Sequence, residues 1–265
     1  MRTTLLHLHR HDVCRRQRLQ VLPIHLLRVA HTPTCMLQIN SVQLVGYESG
    51  IAPRHRVALS VSLLQHLNLL GEQVMRKVCA FIRDYDVLGM GLRWINVNLS
   101  PIQCMHSNLP DLFSSILTEY GVSANQIHLE ITEESMINYS EQEKQIERLR
   151  QFGFQLALDD YGSGFSNLHQ VKKIAFSNIK LDMKIVWDYI HDRDALLPSL
   201  VHAFRQMGFS ITAEGIETQE MAEAMAEIGC DYLQGYVFSK PLPVDNFTKI
   251  LQPAALRAWP ADRCC

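Results

Sequence analysis

The chain has 265 residues, 47% of them hydrophobic, and 25 Lys and Arg against 27 Asp and Glu leave a formal net charge of -2. That length suits one α/β barrel with a sizeable core, and the near-neutral balance gives no global field toward a DNA or RNA polymer or an anionic membrane. Seven cysteines without a repeated C-x-x-C pair exclude a complete internal disulfide framework and indicate a reducing, cytoplasmic setting, and no run reaches the roughly 18 apolar residues of a membrane span.

Residues 1–18, with His7, His9 and His11 among arginines, read as a poorly ordered tail rather than a metal site. A single barrel domain is expected over 19–252, and 253–265 form a second tail holding Trp259, Cys264 and Cys265. Short β-rich runs predict strands at 19–25, 42–48, 92–98, 126–131, 154–160, 177–181, 209–213 and 231–235. Between them, helical patterns lie near 60–84, 108–120, 140–151, 165–173, 193–207, 218–228 and 244–252. Ser140 and Glu143 have capping-box spacing, and Gly153 follows the end of that helix. Met221, Ala224, Met225 and Ile228 fall on one stripe and read as core, as do Cys79, Cys104 and Cys230.

Eight strands alternating with helices predict a (β/α)8 TIM-type barrel. The connection from 26 to 41 contains Pro33 and no sustained helical stripe, whereas a parallel pair needs a crossover, so strand one is open to an antiparallel course. Barrel chemistry sits at the C-terminal strand ends. Here those ends carry Glu48, Asn98, Glu130, Asp159 with Asp160, Lys180, Glu214 and Gln234.

An Asp-Asp-x-Gly stretch alone is as well explained by a turn and a helix cap. A full ring of polar residues, however, needs a reason, because strand cores disfavour them. Hard divalent cations such as Mg²⁺ or Mn²⁺ supply one, and the lack of His and Cys in the ring argues against zinc. Adjacent aspartates can flank two ions about 3.5 to 4 Å apart, the arrangement used in phosphoryl displacement. Lys180, unless it is a plain surface lysine, can orient a water there or offset charge on phosphate.

"LEITE" (129–133), "DDYGSGFSNL" (159–168), "IKLD" (179–182), "AEGIE" (213–217) and "QGYVFSKP" (234–241) strongly resemble the EAL domain family of bacterial cyclic di-GMP phosphodiesterases. The resemblance covers about 40 to 245 and extends weakly back to 19. It implies a barrel with one antiparallel strand, two Mg²⁺ or Mn²⁺ ions, inhibition by Ca²⁺, hydrolysis of cyclic di-GMP to linear pGpG, and a possible homodimer. By position, Glu48, Asn98, Glu130 and Asp159 resemble the ligands of one ion, and Asp160 joins Asp159 at the second. Lys180 resembles the lysine that contacts the attacking water, Glu214 and Gln234 complete the ring, and Glu133 resembles the anchor of the mobile loop that begins at Asp160.

The signature itself departs from the family. Where the family reads E-A-L-L-R, this chain reads "ESGIA" from Glu48 to Ala52, and the segment from Glu48 to Asn98 is shortened. Arg54 or Arg56 is then the expected substitute for the missing phosphate-binding arginine. The alternative implied by these losses is an impaired module that binds nucleotide or a protein partner without hydrolysis.

Overall fold

The structure is a computed structural model that describes residues 24–29, 35–39, 56–85, 87, 92–104, 106–132, 139–163, 171–172, 174–242 and 244–250. In chain order the elements are β1 (Ile24–Val29), β2 (Cys35–Ile39), α1 (Arg56–Asp84), β3 (Ile95–Asn98), α2 (Pro101–Cys104) and α3 (Leu109–Tyr120). They continue with β4 (Ile127–Thr132), α4 (Tyr139–Gln151), β5 (Gln155–Tyr161), β6 (Asn178–Leu181), α5 (Met183–Asp192) and α6 (Leu196–Gln206). The last four are β7 (Ser210–Ala213), α7 (Gln219–Glu227), β8 (Tyr232–Gln234) and α8 (Val244–Ile250).

Strands β3 to β8 pair in order, each parallel to the next, and form a curled sheet. β2 pairs parallel with β3, and β1 pairs antiparallel with both β2 and β8, which gives the connectivity of a closed barrel. β1 and β2 pair antiparallel, with Ile24 opposite Ile39, as a connection of residues 30–34 requires, being too short for a parallel crossover. The first strand, Ile24–Val29, sits downstream of the expected 19–25. The stretch expected as strand two, 42–48, lies outside the described residues, and the strand beside β3 is Cys35–Ile39.

Alternation explains the layering. Leu129, Ile131, Leu156, Leu158, Ile179, Leu181 and Ile211 are all buried on the face that meets the helices. α3 starts with Pro110 in its first turn, buries Leu109, Phe113, Ile116 and Leu117, and stops at Gly121, whose φ of 68° is cheap only for glycine. α4 begins at Tyr139, one residue earlier than expected, so Ser140 lies inside its first turn rather than ahead of it. Thr218 caps α7 by accepting from the Met221 amide at 3.2 Å, and Met221, Ala224 and Met225 are buried. Cys79, Cys104 and Cys230 are buried free thiols. α5 was not anticipated from the sequence: Ile185, Val186, Trp187 and Tyr189 are weak helix formers, and the Asp182 cap that accepts from the Lys184 amide decides the start.

The other sheet face is polar at depth. Asn96, His128, Asn178 and Thr212 are all buried, and Thr212 donates to Asn178 Oδ1 at 3.0 Å. His128 stacks on Trp94 with ring centroids 4.2 Å apart and an interplanar angle of 9°, and Tyr232 meets Trp94 edge-on at 5.6 Å.

Burial pushes the His128 imidazole down from 6.5 to about 3. A depressed imidazole stabilises the fold above the unfolded value and loses that contribution as pH falls from 6.5 toward 3. The loss at pH 5 is about 2 kcal/mol, from 1.4 kcal/mol per pH unit. His128→Phe, which keeps a ring on Trp94, is therefore expected to lose less stability than wild type between pH 7.5 and pH 5 in denaturant titrations. Parallel pH profiles for the two proteins would contradict this.

Candidate functional site

Each polar residue of the upper layer is delivered by a strand end. Asn98 closes β3 and Glu130 lies directly opposite it on β4. Asp159 and Asp160 lie near the end of β5, Lys180 on β6, Glu214 immediately after β7, and Gln234 at the end of β8. The Glu214 amide is held by the Leu181 carbonyl at 3.1 Å, which fixes its height beside β6.

Regular alternation would send Asp159 and Asp160 to opposite faces. A bulge prevents that. Leu158 pairs with Ile179 and Tyr161 with Leu181, so two residues of β5 oppose the single Lys180. Asp160 takes up the extra residue with φ of 57°, a left-handed conformation that Asp tolerates better than most side chains. Tyr161 then returns to the outer face, edge-on to Phe204 of α6 at 5.0 Å. Oxygens of Asp159, Asp160 and Glu214 consequently all lie within 4.8 Å of one another. Asp160→Asn is expected to preserve this bulge, whereas Asp160→Val strains it by about 1 to 3 kcal/mol. Equal melting temperatures for the two variants would remove the strain from the account.

At the centre is a fully buried ammonium. Lys180 Nζ lies 2.6 Å from Asp159, 2.7 Å from Glu214 and 2.8 Å from Glu130. The Glu214 Oε1 contact has ion-pair distance without hydrogen-bond geometry. Glu130 Oε1 also accepts from Asn96 Nδ2 at 2.9 Å. Burial opposes the charge on Lys180, but Asp159, Glu130 and Glu214 outweigh it and hold the ammonium well above its ordinary value. Burial likewise pushes Glu130 up to about 8 and Glu214 up to about 7, with Lys180 countering only in part. One ammonium does not neutralise this many carboxylates, and the surplus negative charge calls for protons or a further cation.

The donor set fits a hard divalent ion. Three carboxylates converge within 4.8 Å, and the buried Oε1 of Gln234, at the end of β8, has no hydrogen-bond partner. Among the described residues this is also where His, Cys, Asp and Glu groups gather closely enough to hold a metal.

A model of the EAL domain matches residues 41–241. The chain belongs to the EAL domain family. A signaling protein of Caulobacter vibrioides is 36% identical over 185 residues, covering 69% of this chain and 22% of the relative. The bifunctional diguanylate cyclase/cyclic di-GMP phosphodiesterase MucR of Pseudomonas aeruginosa is 31% identical, over 67% of this chain and 26% of its own length. This EAL chain thus spans about a quarter of the length of the curated relatives it matches. Among solved structures, the MucR phosphodiesterase in complex with c-di-GMP superposes with a TM-score of 0.71 at 25% identity, covering 89% of this chain and 98% of that one. The EAL domain of Mycobacterium smegmatis DcpA, at 21% identity and a TM-score of 0.67 over 87% of this chain, shares the fold.

Within this EAL domain, Glu130, Asp159 and Glu214 come together around Lys180. Glu48, Arg54 and Glu133 lie outside the described residues. Glu214, read from the sequence as part of the ring, shares a carboxylate cluster with both aspartates. Asn96 was missed. Its signal was present in "INVN", where Asn96 and Asn98 share a face by the period of two.

No helix among the described residues is long and apolar enough to cross a membrane.

Proposed function

We propose that this EAL domain is a metal-dependent phosphodiesterase that hydrolyses cyclic di-GMP to linear pGpG. The observation that carries the reading is the carboxylate ring closed around Lys180 at the C-terminal strand ends. Support also comes from the relatives, several of which bear the name cyclic di-GMP phosphodiesterase, including NbdA at 28% identity and RocR at 34%. On this reading the chain is a cytoplasmic α/β domain, a (β/α)8 barrel with its first strand reversed, and it can act as a homodimer.

Asn98, Glu130, Asp159 and Asp160, together with Glu48, hold two Mg²⁺ or Mn²⁺ ions. Bound there, the ions supply Lewis acidity toward a phosphate oxygen and ease the deprotonation of water. The chain's own residues do the rest. Asn96 fixes the rotamer of Glu130 through its 2.9 Å amide hydrogen bond. Lys180, anchored on β6, orients the attacking water and offsets charge that develops on the phosphate. Glu214 restrains the ammonium, Gln234 and Arg54 bind the nucleotide, and Glu133 steadies the loop that starts at Asp160.

The test is a nucleotide turnover assay on purified chain with Mg²⁺, Mn²⁺ and Ca²⁺ in parallel. Formation of pGpG with the first two and not with Ca²⁺ is expected. A chain that binds cyclic di-GMP but yields no pGpG in any metal would instead be the impaired signalling module. That second reading is favoured by "ESGIA" at residues 48–52, where the family's substrate-contacting arginine is missing.

A further inference from the structure

The side chain proposed to guide water in turnover is enclosed by carboxylates in this conformation. Lys180 Nζ has Glu130, Asp159 and Glu214 at ion-pair distances of 2.8, 2.6 and 2.7 Å around it, and it donates to Asp159 Oδ1. Lys180 is completely buried, so bulk water offers no substitute partner. Two of these carboxylates, Asp159 and Glu214, also belong to the trio with oxygens within 4.8 Å of one another. The same two side chains therefore serve the ammonium and the cluster suited to a divalent ion.

We propose that Lys180 is the internal counter-cation of the metal-free ring, and that it competes with divalent ions for Asp159 and Glu214. A carboxylate has a second oxygen to offer, but an ammonium and a divalent ion on one pair of carboxylates repel strongly in a buried, low-dielectric site. Ion entry accordingly requires Lys180 to withdraw from at least one of the two. Withdrawal leaves an N–H of Nζ free to donate to a water or a phosphate oxygen inside the site. The lysine thereby links two events: it holds the ring together without metal, and it becomes available only when the ring is loaded. The cost is weaker metal binding than the carboxylates alone would give. This inference rests on the metal-dependent reading given above.

The closing experiment reads metal binding and leaves activity aside. Mn²⁺ is titrated calorimetrically into the full chain without nucleotide, comparing wild type with Lys180→Met and Lys180→Gln. Both neutral variants are expected to bind about tenfold more tightly or better, the size expected when one buried charge-assisted contact no longer has to be broken. In chelator they are expected to melt lower than wild type, and to show a larger rise in melting temperature on Mn²⁺ addition. Equal or weaker binding by folded variants overturns this inference alone, while absence of binding by every chain overturns it together with the metal-dependent reading. Wild type offers a second measurement should both variants fail to fold. Hydrogen exchange of the Lys180 ammonium, followed by ¹⁵N NMR, is expected to quicken on saturation with Mg²⁺, and unchanged protection overturns the proposal.

Discussion

Asp159→Asn is expected to reduce cyclic di-GMP turnover by about a thousandfold, the scale seen when one preorganised electrostatic group is removed from a site. The substitution keeps the size and shape of the side chain, so β5 and its bulge remain. What changes is charge. Asp159 Oδ1 accepts from Lys180 at 2.6 Å and its carboxylate is shared with the Asp160–Glu214 cluster, so one substitution weakens both the ammonium's anchor and the cation site. Chromatographic measurement of pGpG release, with a melting curve to confirm that the variant folds, checks the expectation. Turnover within tenfold of wild type would remove Asp159 from the machinery and leave the metal site to be sought elsewhere.

Gly235→Ala carries the largest expected stability effect away from the reacting groups. A Cβ at Gly235 would lie inside the backbone N, C and O of Ile216, and backbone cannot step aside as a flexible side chain can. The approach is close because two segments are stitched together there: the Ile216 amide donates to the Gln234 carbonyl at 3.0 Å, and the Val237 amide to the Ile216 carbonyl at 3.1 Å. Overpacking against rigid backbone costs about 3 kcal/mol or more, which lowers the melting temperature by roughly 10 °C in a chain of this size. Because Gln234 and Glu214 flank the junction, ion binding should weaken as well. A variant that melts within 2 °C of wild type, roughly the shift produced by less than 1 kcal/mol, would show that the two segments separate easily.

Those segments show how far a linear reading reaches. "AEGIE" and "QGYVFSKP" are recognisable as words of one family, and each places a polar residue at a strand end. Their contact across Gly235 is not readable, since close approach of distant backbones is a property of packing. The same division holds around Asp159 and Asp160. Strand five was legible to within a residue at each end, 154–160 expected and Gln155–Tyr161 found, because a buried apolar run ending in two aspartates is strongly patterned. The bulge was not, because it depends on how β5 registers against β6.

Helix α5 escaped for a related reason: its residues have weak helical propensity and are held by the Asp182 cap and by packing, with Trp187 Nε1 donating to the Gly215 carbonyl at 2.8 Å. At the opposite extreme, the stripe on α7 was legible because Met221, Ala224 and Met225 recur at the helical period, which is local information.

The family, most of the strands and helices from β3 onward, and the identity of the polar residues at the strand ends were legible in the residues alone, because local pattern and motif order encode them; the helix expected at 165–173 lies almost wholly outside the described residues. That Asp159 and Asp160 share one face, that Glu214 joins them, that Asn96 steers Glu130 and that Lys180 sits enclosed by three carboxylates came from packing alone. The physical reason is that electrostatic partnership falls steeply with distance in space and does not depend on separation along the chain, so residues tens of positions apart acquire their chemistry only when strand register brings them within a few ångströms.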